Sequence, residues 1–298
     1  MSNIFGALRK GGASTADLEQ DISESGFAPI VAPPRATPPV RASSAPLNVA
    51  RVADSEQGVR EVRLCVSSLA PVLPFEPQNQ RAAEQYQIVR TRILHHASKP
   101  RFVLISSASS GDGKTITSIN IAASFALKPD ARVLLIDGDL RLPSVARTLG
   151  LPAQPGLSDV LTGRVSFQDA IVRTAEIPNL FILTAGEQNE RPADLLDSEP
   201  WRTLATSVRE RFTTIICDAP PIATVADYEL LQLIADGVIV VARPGHTNRA
   251  ACLKGLEGID SKKLLGLVLN CVQDWWLWKT PHYGYYGKQT SSLSSADA

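Results

Sequence analysis

Three short segments carry the residue types and spacings that could do chemistry, and each closes an apolar run. The first is Ala108-Ser-Ser-Gly-Asp-Gly-Lys-Thr, directly after Phe102-Val-Leu-Ile-Ser. Glycines at 111 and 113 let the backbone curl until successive N–H groups converge on an anion. Lys114 can then reach terminal phosphate oxygens, and the Thr115 hydroxyl can ligate Mg²⁺. Ala108 stands where a strict phosphate-loop pattern has Gly. The strand before it and the helix predicted from Thr115 supply the context such a loop needs.

The second segment is Val133-Leu-Leu-Ile-Asp-Gly-Asp-Leu-Arg-Leu-Pro, where Asp137 ends a strand and Asp139 follows two residues later. One carboxylate can hold metal-bound water while the other accepts a proton from an attacking hydroxyl, the division of labour that phosphoryl transfer requires. Arg141 can meet phosphate or pair with these two carboxylates. The third segment, Thr214-Ile-Ile-Cys-Asp-Ala-Pro-Pro, places Asp218 where a carboxylate organises Mg²⁺ through water, beside a turn stiffened by Pro220 and Pro221.

Residues so far apart in the chain need a scaffold that gathers strand ends. Apolar runs at 102–106, 133–137, 180–184, 214–218, 237–242 and 265–270 predict buried strands. Helices are predicted at 81–97, 115–127, 201–211, 227–235 and 247–258. Strands alternating with helices make an α/β fold, a mostly parallel sheet flanked by helices, whose ligands sit at the carboxyl ends of the strands.

The flanks read differently. Residues 1–80 are rich in Ala, Ser and Pro, with Pro33, Pro34, Pro38, Pro39 and Pro46 breaking any helix, and are expected to be a disordered tether. The domain is expected over 81–272. The stretch 273–298 crowds Trp275, Trp276, Trp278, Tyr283, Tyr285 and Tyr286 into a flexible aromatic tail.

Among the 298 residues, 30 basic side chains balance 30 acidic ones, which excludes the charge excess of a nucleic-acid groove. The four cysteines, Cys65, Cys217, Cys252 and Cys271, are too scattered for a zinc site or a disulfide framework. No apolar run reaches the ~18 residues of a membrane span, and the first ten residues lack a signal-peptide pattern. A cytoplasmic location is expected. The eukaryotic-type kinase signatures H-R-D and D-F-G are absent.

The combination G-D-G-K-T, I-D-G-D-L-R-L-P and I-I-C-D-A-P-P resembles the bacterial tyrosine autokinases of polysaccharide export, relatives of the ParA and MinD partitioning ATPases. The resemblance spans about residues 81–288. It implies ATP and Mg²⁺ as cofactors, with Lys114, Asp137 and Asp139 catalytic. Ser110, Gly111, Asp112, Gly113, Lys114, Thr115, Ile116, Arg243 and Asn270 would hold the nucleotide, and Thr115, Asp139 and Asp218 the metal. Asp137 is favoured as the base, although spacing alone does not order it against Asp139. Tyr283, Tyr285 and Tyr286 would accept phosphate.

The same resemblance implies a homo-oligomer and a membrane-embedded polysaccharide chain-length activator that holds the kinase at the inner membrane. A protein-tyrosine phosphatase would reverse the modification, and no nucleic acid is involved. Two departures matter. Residues 101–113 hold no second Lys of the partitioning type, which favours the kinase branch over a nucleotide-switched scaffold. In the helical E-x-x-R-x-x-R-T-N pattern used for ring assembly, Glu84, Arg90 and Thr91 match, whereas Gln87 and Arg92 do not.

Overall fold

The computed structural model describes residues 58–66, 80–222 and 226–272. Eight strands, β1 (Arg60–Val62), β2 (Phe102–Ser107), β3 (Val133–Asp137), β4 (Val172–Thr174), β5 (Leu180–Leu183), β6 (Thr214–Asp218), β7 (Gly237–Ala242) and β8 (Leu264–Leu269), form one sheet. Their order is β1-β4-β5-β3-β6-β2-β7-β8, parallel throughout except for the β4–β5 pair. All six predicted strands are present.

Every residue of β2, β3, β5, β6 and β7 is buried, which their unbroken apolar runs anticipate for a sheet covered on both faces. On one face Leu104, Leu134, Ile136 and Ile215 pack with Trp201 and Phe212. On the other, Ile105, Leu135 and Ile216 pack with Ile119, Ile121 and Phe125. Alternate residues of one strand thus supply two cores.

The helices are α1 (Gln80–Leu94), α2 (Lys114–Ala126), α3 (Val145–Leu149), α4 (Leu157–Leu161), α5 (Phe167–Ala170), α6 (Pro192–Leu196), α7 (Glu199–Arg211), α8 (Ala226–Ile234) and α9 (Arg249–Glu257). Helix α2 is buried along most of its length, and its small residues Ala122, Ala123, Ser124 and Ala126 admit the close approach to the sheet. Helix α7 is amphipathic. Ser198 caps it by accepting a hydrogen bond from the Trp201 N–H, and Trp201 stands edge-on to Phe102 with ring centroids 6.3 Å apart. Truncating so large a buried ring costs about 3–5 kcal/mol.

One boundary is corrected. The tether was expected to run to residue 80, yet β1 pairs with β4 at Arg60↔Val172 through Val62↔Thr174. Arg173 binds Glu61 at 2.8 Å, and the Leu64 N–H donates to Glu176. A three-residue strand buries too little to show a periodicity of its own, and its partner lies far along the chain. The remaining tether residues and the aromatic tail 273–298 lie outside the described residues. Among the described residues, no helix is long and apolar enough to cross a membrane.

Candidate active site

Strands β2, β3 and β6 are adjacent and parallel, so the three chemical segments emerge at one sheet edge. Asp137 and Asp218 are direct partners in the register, and Ile105 of β2 stands opposite Asp218. The sheet topology performs the gathering that the spacing requires.

After β2 the chain turns through Gly111 and Gly113 with φ of 86° and 92°, the left-handed region that glycine enters freely. At Gly113 a Cβ would also run into the Asn270 side chain, which would have to move aside, so a side chain here is strained twice over. Gly113 begins α2 with no side-chain cap and no acidic residue in the first turn. The opening N–H groups of α2 therefore keep their capacity to bind an anion.

Lys114 Nζ lies 2.9 Å from Asp139 Oδ2 and 3.5 Å from Asp218 Oδ2. The Thr115 hydroxyl donates to Asp218 Oδ2 at 2.6 Å and meets the Ser144 hydroxyl at 2.7 Å, while Ser118 Oγ donates to Asp218 Oδ1 at 3.1 Å. Asp137 Oδ2 accepts the N–H groups of Ser144 and Val145, both at 3.0 Å, and its Oδ1 accepts from the Asp139 N–H at 3.3 Å. The five residues Lys114, Thr115, Asp137, Asp139 and Asp218 thus form one cluster.

Burial and charge set its electrostatics. Asp137 and Asp218 are fully buried and Asp139 nearly so. Burial, reinforced by Asp218, pushes Asp137 up to about 7 against the lowering effect of Lys114 and the two N–H donors. Burial also raises Asp218, opposed by Lys114, Thr115 and Ser118. For Lys114 burial favours the neutral amine, but Asp218 and Asp139 outweigh it and hold the ammonium above its ordinary value. Three carboxylates around one cation make a site that favours added positive charge.

The donor set suits Mg²⁺. Carboxylate and hydroxyl oxygens are the hard donors it prefers. Thr115, Asp139 and Asp218 are the residues able to hold it.

Other expected site residues sit differently. Ser110 and Gly111 are exposed at the loop, and Ile116 is half-buried in the first turn of α2. Asp112 is fully buried, its carboxylate taken up by the Ser109 N–H, His246 and Thr247. Its side chain holds the loop, leaving only its backbone to address a phosphate. Asn270 Nδ2 donates to the Asp112 carbonyl at 2.9 Å, and its Oδ1 accepts from the Cys271 N–H. Arg243 is exposed after β7. Arg141 pairs with neither Asp137 nor Asp139: its guanidinium grips the buried Asp227 of α8 through two bonds of 2.8 and 3.0 Å. The three tail tyrosines lie outside the described residues.

Sequence reasoning missed Ser118, Ser144, Asp227, His246 and Thr247. Only Ser144, one residue beyond the I-D-G-D-L-R-L-P run, carried a local signal.

A curled glycine loop between the central strand of a parallel sheet and a helix, with acidic ends on neighbouring strands, defines the P-loop nucleotide-binding class. A family model described as an AAA domain matches residues 101–261. Tyrosine-protein kinase YwqD of Bacillus subtilis is 37% identical over 223 residues, covering 73% of this chain and 91% of that protein. Among solved structures, the chimerical protein CapA2B2 superposes with a TM-score of 0.63 at 28% identity, covering 71% of this chain and 92% of that one. The kinase domain of VpsO does so with a TM-score of 0.57 at 31% identity, covering 66% and 98%. The chain belongs to the bacterial tyrosine-protein kinase family of P-loop proteins.

Proposed function

We propose that this chain transfers the γ-phosphoryl group of ATP to tyrosine hydroxyls in its own C-terminal segment, Tyr283, Tyr285 and Tyr286, presented by a neighbouring copy. The observation that carries the reading is the Lys114–Asp139–Asp218–Thr115 cluster at the mouth of the glycine loop, with Asp137 beside it. The loop N–H groups and Lys114 bind and orient the triphosphate. Mg²⁺, when bound, neutralises charge on the phosphate oxygens. Thr115 and Asp218 are the residues set to hold it, with Asp139 assisting. Asp137 takes the tyrosine proton as its oxygen bonds to the γ-phosphorus and the bond to the β-phosphate oxygen breaks, releasing ADP.

A census of tyrosines supports the tail as acceptor. Of five in the chain, Tyr228 is buried with its hydroxyl on Gln232 Oε1 at 2.7 Å, and Tyr86 is packed against the core. The other three are in the tail. By the same reading, the kinase works in the cytoplasm at the inner membrane, bound to a membrane-embedded chain-length activator and reset by a phosphatase, and it regulates polysaccharide synthesis and export. The Pro-rich N-terminal segment would, on this reading, bind that partner.

A mixing experiment tests transfer between copies. A Lys114→Met chain, with acceptors but no activity, is combined with a chain carrying Phe at 283, 285 and 286. Phosphate should enter the first protein only in the mixture. A mixture that stays unlabelled while wild-type protein labels at a concentration-independent rate contradicts transfer between copies.

A further inference from the structure

A loop that must receive a triphosphate has no obvious use for a carboxylate, yet Asp112 lies between Gly111 and Gly113. Left free, its charge would oppose the anion. The structure instead buries it completely and surrounds it with donors: the Ser109 N–H at 2.9 Å, His246 Nδ1 at 2.9 Å and the Thr247 hydroxyl at 2.6 Å. Two of these donors come from the turn after β7. That turn is itself closed by the Arg243 N–H donating to Thr247 Oγ1 at 2.7 Å. His246 also packs on Gly111, where an added Cβ would approach its ring to 3.3 Å. The carbonyl of Asp112 is held from β8 by Asn270. Apart from Ser109, which lies in the loop itself, these partners come from distant segments of the chain.

We infer that His246 and Thr247 are positioning residues for ATP: by binding the Asp112 carboxylate they turn its charge inward and fix the curl of the phosphate loop from the β7 side. They act on nucleotide affinity and not on the transfer step, since neither touches Lys114, Asp137, Asp139 or Asp218. The turn 243–247 also carries Arg243, so the phosphate loop and a further expected nucleotide contact share one connection. This inference rests on the phosphate-loop reading above.

The test uses the full chain and a fluorescent ATP analogue whose binding is read without transfer. Losing a hydrogen bond to a charged group should weaken binding about tenfold in His246→Ala, with KM for ATP rising in parallel and kcat at saturating ATP within about twofold. His246→Gln keeps a donor and should recover most of the affinity. Thr247→Val removes the other donor, so it should weaken binding in the same direction and serves if His246→Ala does not fold. Asp112→Asn combined with His246→Ala should weaken binding little more than Asp112→Asn alone, because both changes remove one interaction. The inference is overturned if His246→Ala and Thr247→Val bind the analogue like wild type, if kcat falls with affinity unchanged, or if His246→Gln is as weak as His246→Ala. Wild-type protein that binds no analogue would instead contradict the phosphate-loop reading itself.

Discussion

Asp137 and Asp218 face each other in register at the ends of β3 and β6, both fully buried, with Asp137 pushed up to about 7. Two buried carboxylates side by side destabilise the fold unless a cation answers them. Lys114 provides one charge, and the remainder favours an added cation. The site is therefore expected to trade stability for function, which can be measured.

Asp137→Asn should raise stability while removing transfer. Because the folded pKa lies above the ordinary value of 3.8, the folded state holds a proton that the unfolded chain has lost between about pH 4 and 7, and wild-type stability falls as pH rises through that window. In EDTA at pH 8 the variant should melt roughly 2–6 °C above wild type, the gap closing toward pH 4. Scanning calorimetry at the two pH values checks this. An equal or lower melting temperature at pH 8 would show that the charge is not costly there.

Gly113→Ala should abolish nucleotide binding. The new Cβ would sit at φ 92° and collide with Asn270 Nδ2. The backbone strain alone is worth about 1–3 kcal/mol. Because the backbone strain remains even where the Asn270 side chain shifts aside, binding should stay lost, as titration with an ATP analogue would reveal; wild-type affinity would contradict the role of this turn.

How much of this was legible in the sequence depends on how local each feature is. Asp137 and Asp218 were readable because each ends an apolar run, Asp139 because it follows two residues later, and Lys114 and Thr115 because they close a glycine-rich turn after such a run; a parallel sheet brings these ends together. Strands β1 and β4 were not, since Arg60-Glu-Val and Val172-Arg-Thr are too short to carry a pattern and β1 owes its place to its distant partner β4. The direction of the Asp112 side chain depends on His246, 134 residues away, and that of Arg141 on Asp227, 86 residues away. No spacing within one segment encodes such pairs.

Asp236 should stabilise the fold without touching the chemistry. Its Oδ2 accepts the N–H groups of Arg101 and Phe102 at 2.9 and 2.8 Å and pairs with Arg209 at 2.7 Å, anchoring the start of β2. Burial alone would raise this carboxyl, but Arg209 and the two N–H donors hold it below its ordinary value. Its contribution is thus present above the unfolded pKa and lost as pH falls through the folded one. Asp236→Ala should cost about 1–3 kcal/mol at pH 7 and less near pH 3, read by urea unfolding. Equal losses at both values would contradict the charge-dependent role.

Tyr228→Phe should leave phosphoryl transfer at its wild-type rate and cost about 1 kcal/mol of stability for the lost bond to Gln232. Replacing Tyr283, Tyr285 and Tyr286 together by Phe should remove all incorporation without lowering the melting temperature. Phosphate on Tyr228 in folded protein would sink the assignment of acceptors to the tail.

The most direct measurement incubates purified full-length protein with Mg²⁺ and γ-labelled ATP, then maps the label by mass spectrometry alongside Lys114→Met. The predicted result is phosphotyrosine at 283, 285 or 286 in the wild type and none in the variant, whose loop has lost the charge that meets the phosphates. Free phosphate accumulating with no phosphotyrosine anywhere in the chain would contradict the kinase and leave a nucleotide-switched scaffold.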